Sequence, residues 1–409
     1  MTAGLHVGAA AGLVTDGEWI IRGARVLDAG TGETAARDLG VSGGMVVRPE
    51  DVPGAAEVDA SGLTVLFGLW DCHAHPGGLM YDPSGQGYFE GPAEWAVRAG
   101  HNLMAAAQVG ITGVRATAEA SRVDLAWSRA FERGQYGGPR LRCAGAGIRT
   151  TGGHGTAFPR RAIEVQWEIA ADGPAEMRRA VRSLIEQGVH WIKVMLTGGL
   201  YSAHETVEDA QLTDDELEAV LDIATKRGIP VAAHCGSARV AERFAQAGGR
   251  SVEHGYALDE KAAAAMAAAG TWLVPTIGVT HDEEMMVADG WPDHARLRAL
   301  DSAARHAEAM LACAEAGVRI ATGADLNPIG PRLHSELVML QRAGLTPLQV
   351  LYAATVGGRA LNGLGEATAP EPGTAADLIF TAGNPLEDWS VLQAPRAVMT
   401  FGRFVRPLA

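Results

Sequence analysis

His73 and His75 stand one residue apart just beyond an apolar run, Leu63 to Leu69, in the stretch Phe67-Gly68-Leu69-Trp70-Asp71-Cys72-His73-Ala74-His75-Pro76. The run reads as a buried strand. Strand side chains alternate between faces, so the two imidazoles point the same way, while Cys72 and Ala74 point the other. Two imidazoles on one face at a strand end can hold one metal ion. A His-x-His alone is also found in ordinary cores, so it becomes a site only if the rest of the chain supplies matching ligands.

Matching donors recur at the ends of later apolar runs. Val231-Ala232-Ala233-His234 and Ser251-Val252-Glu253-His254-Gly255 bring imidazoles, and Ile320-Ala321-Thr322-Gly323-Ala324-Asp325 ends in a carboxylate. Singly, each has a plain explanation: a histidine hydrogen-bonded in a core, or an aspartate capping the next segment. Together they are the imidazole and carboxylate set that zinc or a similar divalent ion takes. Lys193, inside Trp191-Ile192-Lys193-Val194-Met195-Leu196, is the odd member. An ammonium repels cations and is costly to bury unpaired; its bland alternative is to snorkel outward. Carboxylation by CO2 would turn the amine into an anionic carbamate with two oxygens, able to bridge two ions. With His73, His75 and Asp325 on one ion and His234 and His254 on the other, the expected site is binuclear. Two close cations can share a hydroxide whose pKa falls towards neutrality.

Strands alternating with helices must position these groups. Helices are predicted over 93–108, 177–187, 214–227, 239–247, 260–269, 295–316, 333–342 and 347–361. Thr213 and Glu216 form a capping box for the third. Strands are predicted over 111–116, 141–148, 191–196, 230–234, 250–253, 271–275 and 318–324. Repeated βα units of this kind predict an α/β fold, a (β/α)8 TIM barrel with its chemistry at the C-terminal strand ends. Residues 18–65 read instead as short strands separated by turns, and so do 376–380, 397–401 and 404–405. The two ends are expected to pair into one small β-sandwich. The expected division is 1–66 and 367–409 for the sandwich and 67–366 for the barrel.

The 409 residues are 47% apolar, ample for a large core, and the net charge of −14 argues against a nucleic-acid or anionic-membrane surface. Four scattered cysteines suit free thiols in a reducing compartment. Residues 1–17 lack the pattern of a signal peptide, and no window has the apolar length of a membrane helix. The expectation is a cytoplasmic protein with a small-molecule substrate; a homo-oligomer is left open.

These residues resemble the metal-dependent amidohydrolase superfamily over nearly the whole chain. The resemblance rests on Gly68 to His75, Ile192-Lys193-Val194-Met195, His234, Val252-Glu253-His254-Gly255 and Thr322-Gly323-Ala324-Asp325. It extends to Ala353-Ala354-Thr355 and Gly373-Thr374-Ala375-Ala376-Asp377-Leu378. Thr151-Gly152-Gly153-His154-Gly155 and Met195-Leu196-Thr197-Gly198-Gly199 are similar to the imidazolonepropionase-related branch. That branch includes Xaa-Pro dipeptidases, arginine and lysine carboxypeptidases, and ochratoxin-hydrolysing amidases. The resemblance implies a carboxylated Lys193, two zinc ions and amide hydrolysis, with His154 orienting the carbonyl or steadying the oxyanion. This chain departs from the branch in three places: His234-Cys235-Gly236-Ser237 lacks a second histidine, Phe67 stands where Pro is usual, and Pro331-Arg332-Leu333-His334 replaces a His-Gly.

The expected ligands are therefore His73, His75, Lys193, His234, His254 and Asp325. Asp325 would take a proton from the hydroxide and pass it to the leaving nitrogen. Arg115 and Arg149, with Arg160 and Arg161 nearby, are candidates to receive a substrate carboxylate. Tyr201 is placed to cover the pocket. Residues 281–292, with Met285, Met286 and Trp291, form either a lid or packing on the rim. The expected substrate is an N-acyl amino acid or a dipeptide-like amide. A lactone, carbamate or ester would suffer the same attack. A metal-free binding homologue is opposed by the full ligand set, and a single-metal deaminase by Lys193, since one ion needs no bridge.

Overall fold

Gly68 divides the apolar run that leads to the first two histidines. The structure is a computed structural model that describes residues 17–78, 90–155 and 167–408. It has β1 (Trp19–Leu27), β2 (Thr34–Ser42), β3 (Met45–Val47), β4 (Ala56–Asp59) and β5 (Thr64–Phe67) before that glycine. After it come β6 (Leu69–Ala74), β7 (Ile111–Ala116), β8 (Arg140–Cys143), β9 (Gly147–Arg149), β10 (Glu168–Ala170), β11 (Ile192–Met195), β12 (Val231–Ser237), β13 (Ser251–Ala257) and β14 (Trp272–Val274). The chain ends with β15 (Leu378–Thr381), β16 (Ala397–Thr400) and β17 (Arg403–Arg406).

The two ends do meet. Among the described residues β1–β5 and β15–β17 form one eight-stranded sheet rather than two facing sheets. The reason lies in β5, whose two edges take β1 in parallel and β15 antiparallel, with Leu378 opposite Phe67 and Thr381 opposite Thr64. One apolar cluster covers this sheet, including Ile21, Val41, Val65, Phe67, Phe380 and Phe404.

The middle of the chain is parallel. β6, β7 and β8 make a three-stranded sheet, and β10-β9-β11-β12-β13-β14 a six-stranded one. The single strand expected over 141–148 is broken into β8 and β9, because Gly145 turns with φ of 69°. The strand expected over 318–324 is not a regular one; Ile320 makes an isolated bridge with Leu273. The segment is nonetheless tied on both sides. Ala321 N–H donates to Leu273 O at 3.0 Å, and Cys72 N–H to Thr322 O at 2.8 Å. At the other seam Trp191 N–H donates to Cys143 O at 3.1 Å.

Helices lie between these strands, the longest being Asp293–Glu315. Thr213 caps Asp214–Lys226 in the expected box, with its N–H donating to Glu216 at 2.9 Å. The helix Val123–Glu132 has no counterpart in the sequence reading; its N-cap position is Arg122 in a left-handed conformation, with no side-chain cap to signal it. No helix of the described residues is long and apolar enough to cross a membrane. Register places His234 opposite Glu253 and Cys235 opposite His254, so the two histidines are offset by one position on neighbouring strands.

Candidate active site

The strand ends bring the expected donors together. Asp325 Oδ1 lies 3.1 Å from His75 Nε2 and 3.6 Å from His73 Nε2. The ligating atoms of these three residues all fall within 4.8 Å of one another. Asp325 Oδ1 is buried and accepts no hydrogen bond. Burial leaves such an oxygen in want of a partner, and a cation between it and the two imidazoles supplies one. The donor set therefore fits a divalent ion.

Each imidazole is oriented through its other nitrogen, as ligand histidines are. His73 Nδ1–H donates to Glu253 Oε2 at 2.8 Å, and His75 Nδ1–H to Ala118 O at 2.7 Å. His254 Nδ1 bonds Thr276 Oγ1 at 2.7 Å. With Nδ1 so engaged, Nε2 is the second nitrogen of each ring; that of His75 also has the Thr117 hydroxyl 3.5 Å away. His234 is reversed: its Nε2–H donates to Gly198 O at 3.1 Å, which leaves Nδ1. The rings form an arc, with centroids 4.8 Å apart for His73 and His254 and 4.6 Å for His254 and His234.

Three non-glycine residues here hold left-handed backbone: His254 (φ 68°), Thr276 (φ 49°) and Asp325 (φ 58°). Such strain persists only where surrounding structure enforces it, and it gathers at functional sites.

Burial dominates the electrostatics. It pulls the His73 imidazolium down to about 4 and takes His234 and His254 well below the usual range, which favours the neutral ring in all three. It pulls Lys193, 2% exposed, down to about 8. Burial works against the Glu253 carboxylate, but Arg115 and His73 beside it prevail and hold it at about 2.

His154 also reaches the arc, its ring stacked on His234 at 4.0 Å and 16°. Its Nδ1–H donates to Glu205 Oε1 at 2.7 Å, and its backbone N–H to Gln211 Oε1 at 2.7 Å. Gln211 in turn donates to Glu205 Oε2 at 2.8 Å. Gly199 is required beside it, since a Cβ there would collide with the His154 ring.

The whole chain supports one family. Residues 64–405 match the amidohydrolase family. The chain belongs to it. This amidohydrolase is 32% identical over 362 residues to an ochratoxinase of Aspergillus niger, covering 82% of this chain and 73% of that protein. A prolidase solved with N-methylphosphonate-L-proline aligns with a TM-score of 0.85 at 28% identity, over 95% of this chain and 99% of the other. A Xaa-Pro dipeptidase with bound methionine aligns at 0.84 and 26% identity, over 95% of this chain and 100% of the other. The chain is thus a hydrolase acting on carbon–nitrogen bonds, from a family that typically uses divalent metal.

Two expectations are corrected. Arg115 is fully buried, with one terminal nitrogen 2.8 Å from both Glu253 oxygens, the other donating to Ser251 Oγ at 2.9 Å, and Nε donating to Cys72 O at 2.5 Å. Its guanidinium is committed to the core, with none of it offered to a substrate carboxylate. Arg149 is 3% exposed and paired with Glu168 at 2.6 Å, so its charge is already met by an internal acid. Arg160 and Arg161 lie outside the described residues. Tyr201 is partly buried, edge-on to Trp291 at 5.9 Å. Met285, Met286 and Trp291 are buried with Leu200, Tyr256 and Leu326 in one cluster, which is packing rather than open surface.

Sequence reading assigned no role to Glu205, Thr276 or Glu253. Glu253 had a signal, a carboxylate inside an apolar strand next to a candidate ligand. Glu205 and Thr276 had none, because their partners, His154 and His254, lie 51 and 22 residues away in the chain.

Proposed function

We propose that the chain is a binuclear metal hydrolase that cleaves the amide bond of an N-acyl amino acid or a dipeptide-like substrate. The observation that carries this is the buried, unbonded Oδ1 of Asp325, facing two imidazoles at the end of an arc that continues to His254 and His234. His73, His75 and Asp325 would hold one ion, His234 and His254 the other, and a carbamate on Lys193 both. Burial leaves a larger share of the Lys193 amine uncharged at neutral pH than an exposed lysine has, and the free amine is the form that takes up CO2. When bound, the two ions, zinc in our reading, supply an activated water and a Lewis acid for the carbonyl.

The chain's own residues do the rest. Asp325 takes a proton from the attacking water through its carboxylate and returns it to the leaving nitrogen. His154 places a ring nitrogen where the carbonyl oxygen gathers charge, and Glu205 fixes that ring from behind. The seam hydrogen bonds support a closed (β/α)8 barrel spanning 67–366, with 1–66 and 367–409 forming the accessory unit. We place the protein in the cytoplasm.

Likeness to an ochratoxinase and to a prolidase that binds N-methylphosphonate-L-proline favours a small amide substrate, which sets the test. Protein expressed with zinc and bicarbonate is assayed for metal and screened against N-acyl amino acids, dipeptides, lactones and carbamates. Two metal equivalents with turnover of an amide are expected. Turnover confined to lactones or carbamates overturns the bond assignment, and metal-free active protein overturns the mechanism.

A further inference from the structure

His254 is held from two directions. Its ring is fixed by Thr276, and its carbonyl oxygen accepts a hydrogen bond from His306 Nε2–H at 3.0 Å. His306 lies on the long helix Asp293–Glu315, and its side chain is fully buried. A carbonyl can only accept, so Nε2 carries the proton. The ring's Nδ1 lies 2.8 Å from Thr280 Oγ1, a hydroxyl that also has the Ile277 carbonyl as an acceptor at 3.1 Å. Thr280 Oγ1 accepts in turn from His281 Nδ1–H at 2.8 Å. The tautomer of His306 is thus fixed by the His254 carbonyl, and Thr280 holds the other side of the ring.

That backbone needs holding. His254 has φ of 68° without being glycine, and the residue that fixes its ring, Thr276, has φ of 49°. A left-handed histidine relaxes unless its surroundings prevent it, and relaxation here would carry the ring away from His234, 4.6 Å off between centroids, and from Asp325, whose Oδ2 is 3.9 Å from Nδ1. Tyr256 completes the clamp, parallel to the His254 ring at 5.1 Å and edge-on to His306 at 5.0 Å. Two turns earlier on the same helix, one terminal nitrogen of Arg298 donates to the carbonyls of Ser202 at 2.6 Å and Glu205 at 2.9 Å. The helix therefore steadies the loop of Glu205 as well.

We propose that His306 is a positioning residue, which keeps His254 in its left-handed conformation and so completes the second metal position. This rests on the two-ion reading above. Wild type, His306→Leu and His306→Gln are loaded with zinc and titrated with a chelator, and metal equivalents, kcat, KM and melting temperature are recorded. Glutamine keeps an N–H within reach of the carbonyl, and leucine does not. His306→Leu should keep the first equivalent and hold the second about 10–100-fold more weakly, with kcat reduced and KM little changed. His306→Gln should recover the second equivalent.

Wild-type affinity for both equivalents in His306→Leu overturns the proposal, as does glutamine failing to improve on leucine. Should His306→Leu not fold, Thr280→Val removes the hydroxyl that orients the ring; undiminished hold on the second equivalent in that variant overturns the proposal. A wild type that binds one ion overturns the two-ion reading itself, whereas two equivalents held equally well in wild type and His306→Leu overturn only the role of His306.

Discussion

One terminal nitrogen of Arg115 lies 2.8 Å from each carboxylate oxygen of Glu253, and Glu253 Oε2 is also 2.8 Å from His73 Nδ1. A charge placed in the core thereby fixes the tautomer of a candidate ligand. Arg115→Met leaves Glu253 buried without its counter-charge, and loss of about 3–5 kcal/mol of stability is expected, read from urea denaturation. A variant of normal stability with a selectively raised KM for carboxylate-bearing substrates would restore a substrate-binding role to Arg115.

Lys193→Ala removes the group proposed to bridge the ions. Metal content and turnover should fall together, and short carboxylic acids added to the variant should recover part of both. Elemental analysis of the purified variant decides this: unchanged metal content removes the bridging role.

Asp325→Asn retains the size of the side chain but removes its basicity. Circular dichroism should match wild type while kcat falls by about 10²–10⁴-fold. Near-normal turnover would make another residue the proton carrier.

His154→Ala should lower kcat by about 10²–10³-fold if the ring steadies the oxyanion. Glu205→Gln should act in the same direction and less severely, since the amide oxygen can still accept from His154 Nδ1–H. Combining the two changes should cost no more than His154→Ala alone. Multiplicative losses in the double variant would separate Glu205 from His154.

Glu336 gives a pH prediction. Its carboxylate accepts from the N–H groups of Ile277 and Gly278, both at 2.8 Å, yet burial pushes the carboxyl up to about 8. The folded state then binds more protons than the unfolded state between the ordinary carboxyl range and pH 8. Stability from this group is greatest at acid pH, declines as pH rises through that window, and levels off above it. Glu336→Gln removes the titration, so the wild type should lose ground to the variant between pH 5 and 8 in urea midpoints. A constant gap between the two proteins would show that the backbone donors dominate over burial.

Much of the candidate site was legible because each member interrupts or ends an apolar run. Lys193 is conspicuous inside Trp191 to Leu196, and His234, His254 and Asp325 each follow short aliphatic stretches. Arg115 carries the same mark, a lone charge within Ile111 to Ala116, and the reading that made Lys193 a core residue applies to it equally. Glu205 and His306 carry no such mark. Glu205 meets His154 across 51 residues of chain, and His306 meets His254 across 52, so only the folded arrangement pairs them. The joining of the chain ends was readable from their strand-and-turn pattern. Their merging into one sheet was not, because it depends on β5 offering both of its edges.

That use of β5 has a consequence for how the protein is made. Gly68 alone separates β5 from the strand carrying His73, and Gly68 N–H itself donates to Asp377 O at 3.0 Å. The ribosome delivers β15 long after both. Until it does, one edge of β5 stays open and the anchorage of the first two histidines is half built. Shortening the chain before Leu378 should therefore weaken any hold on a cation, although every candidate ligand would still be present.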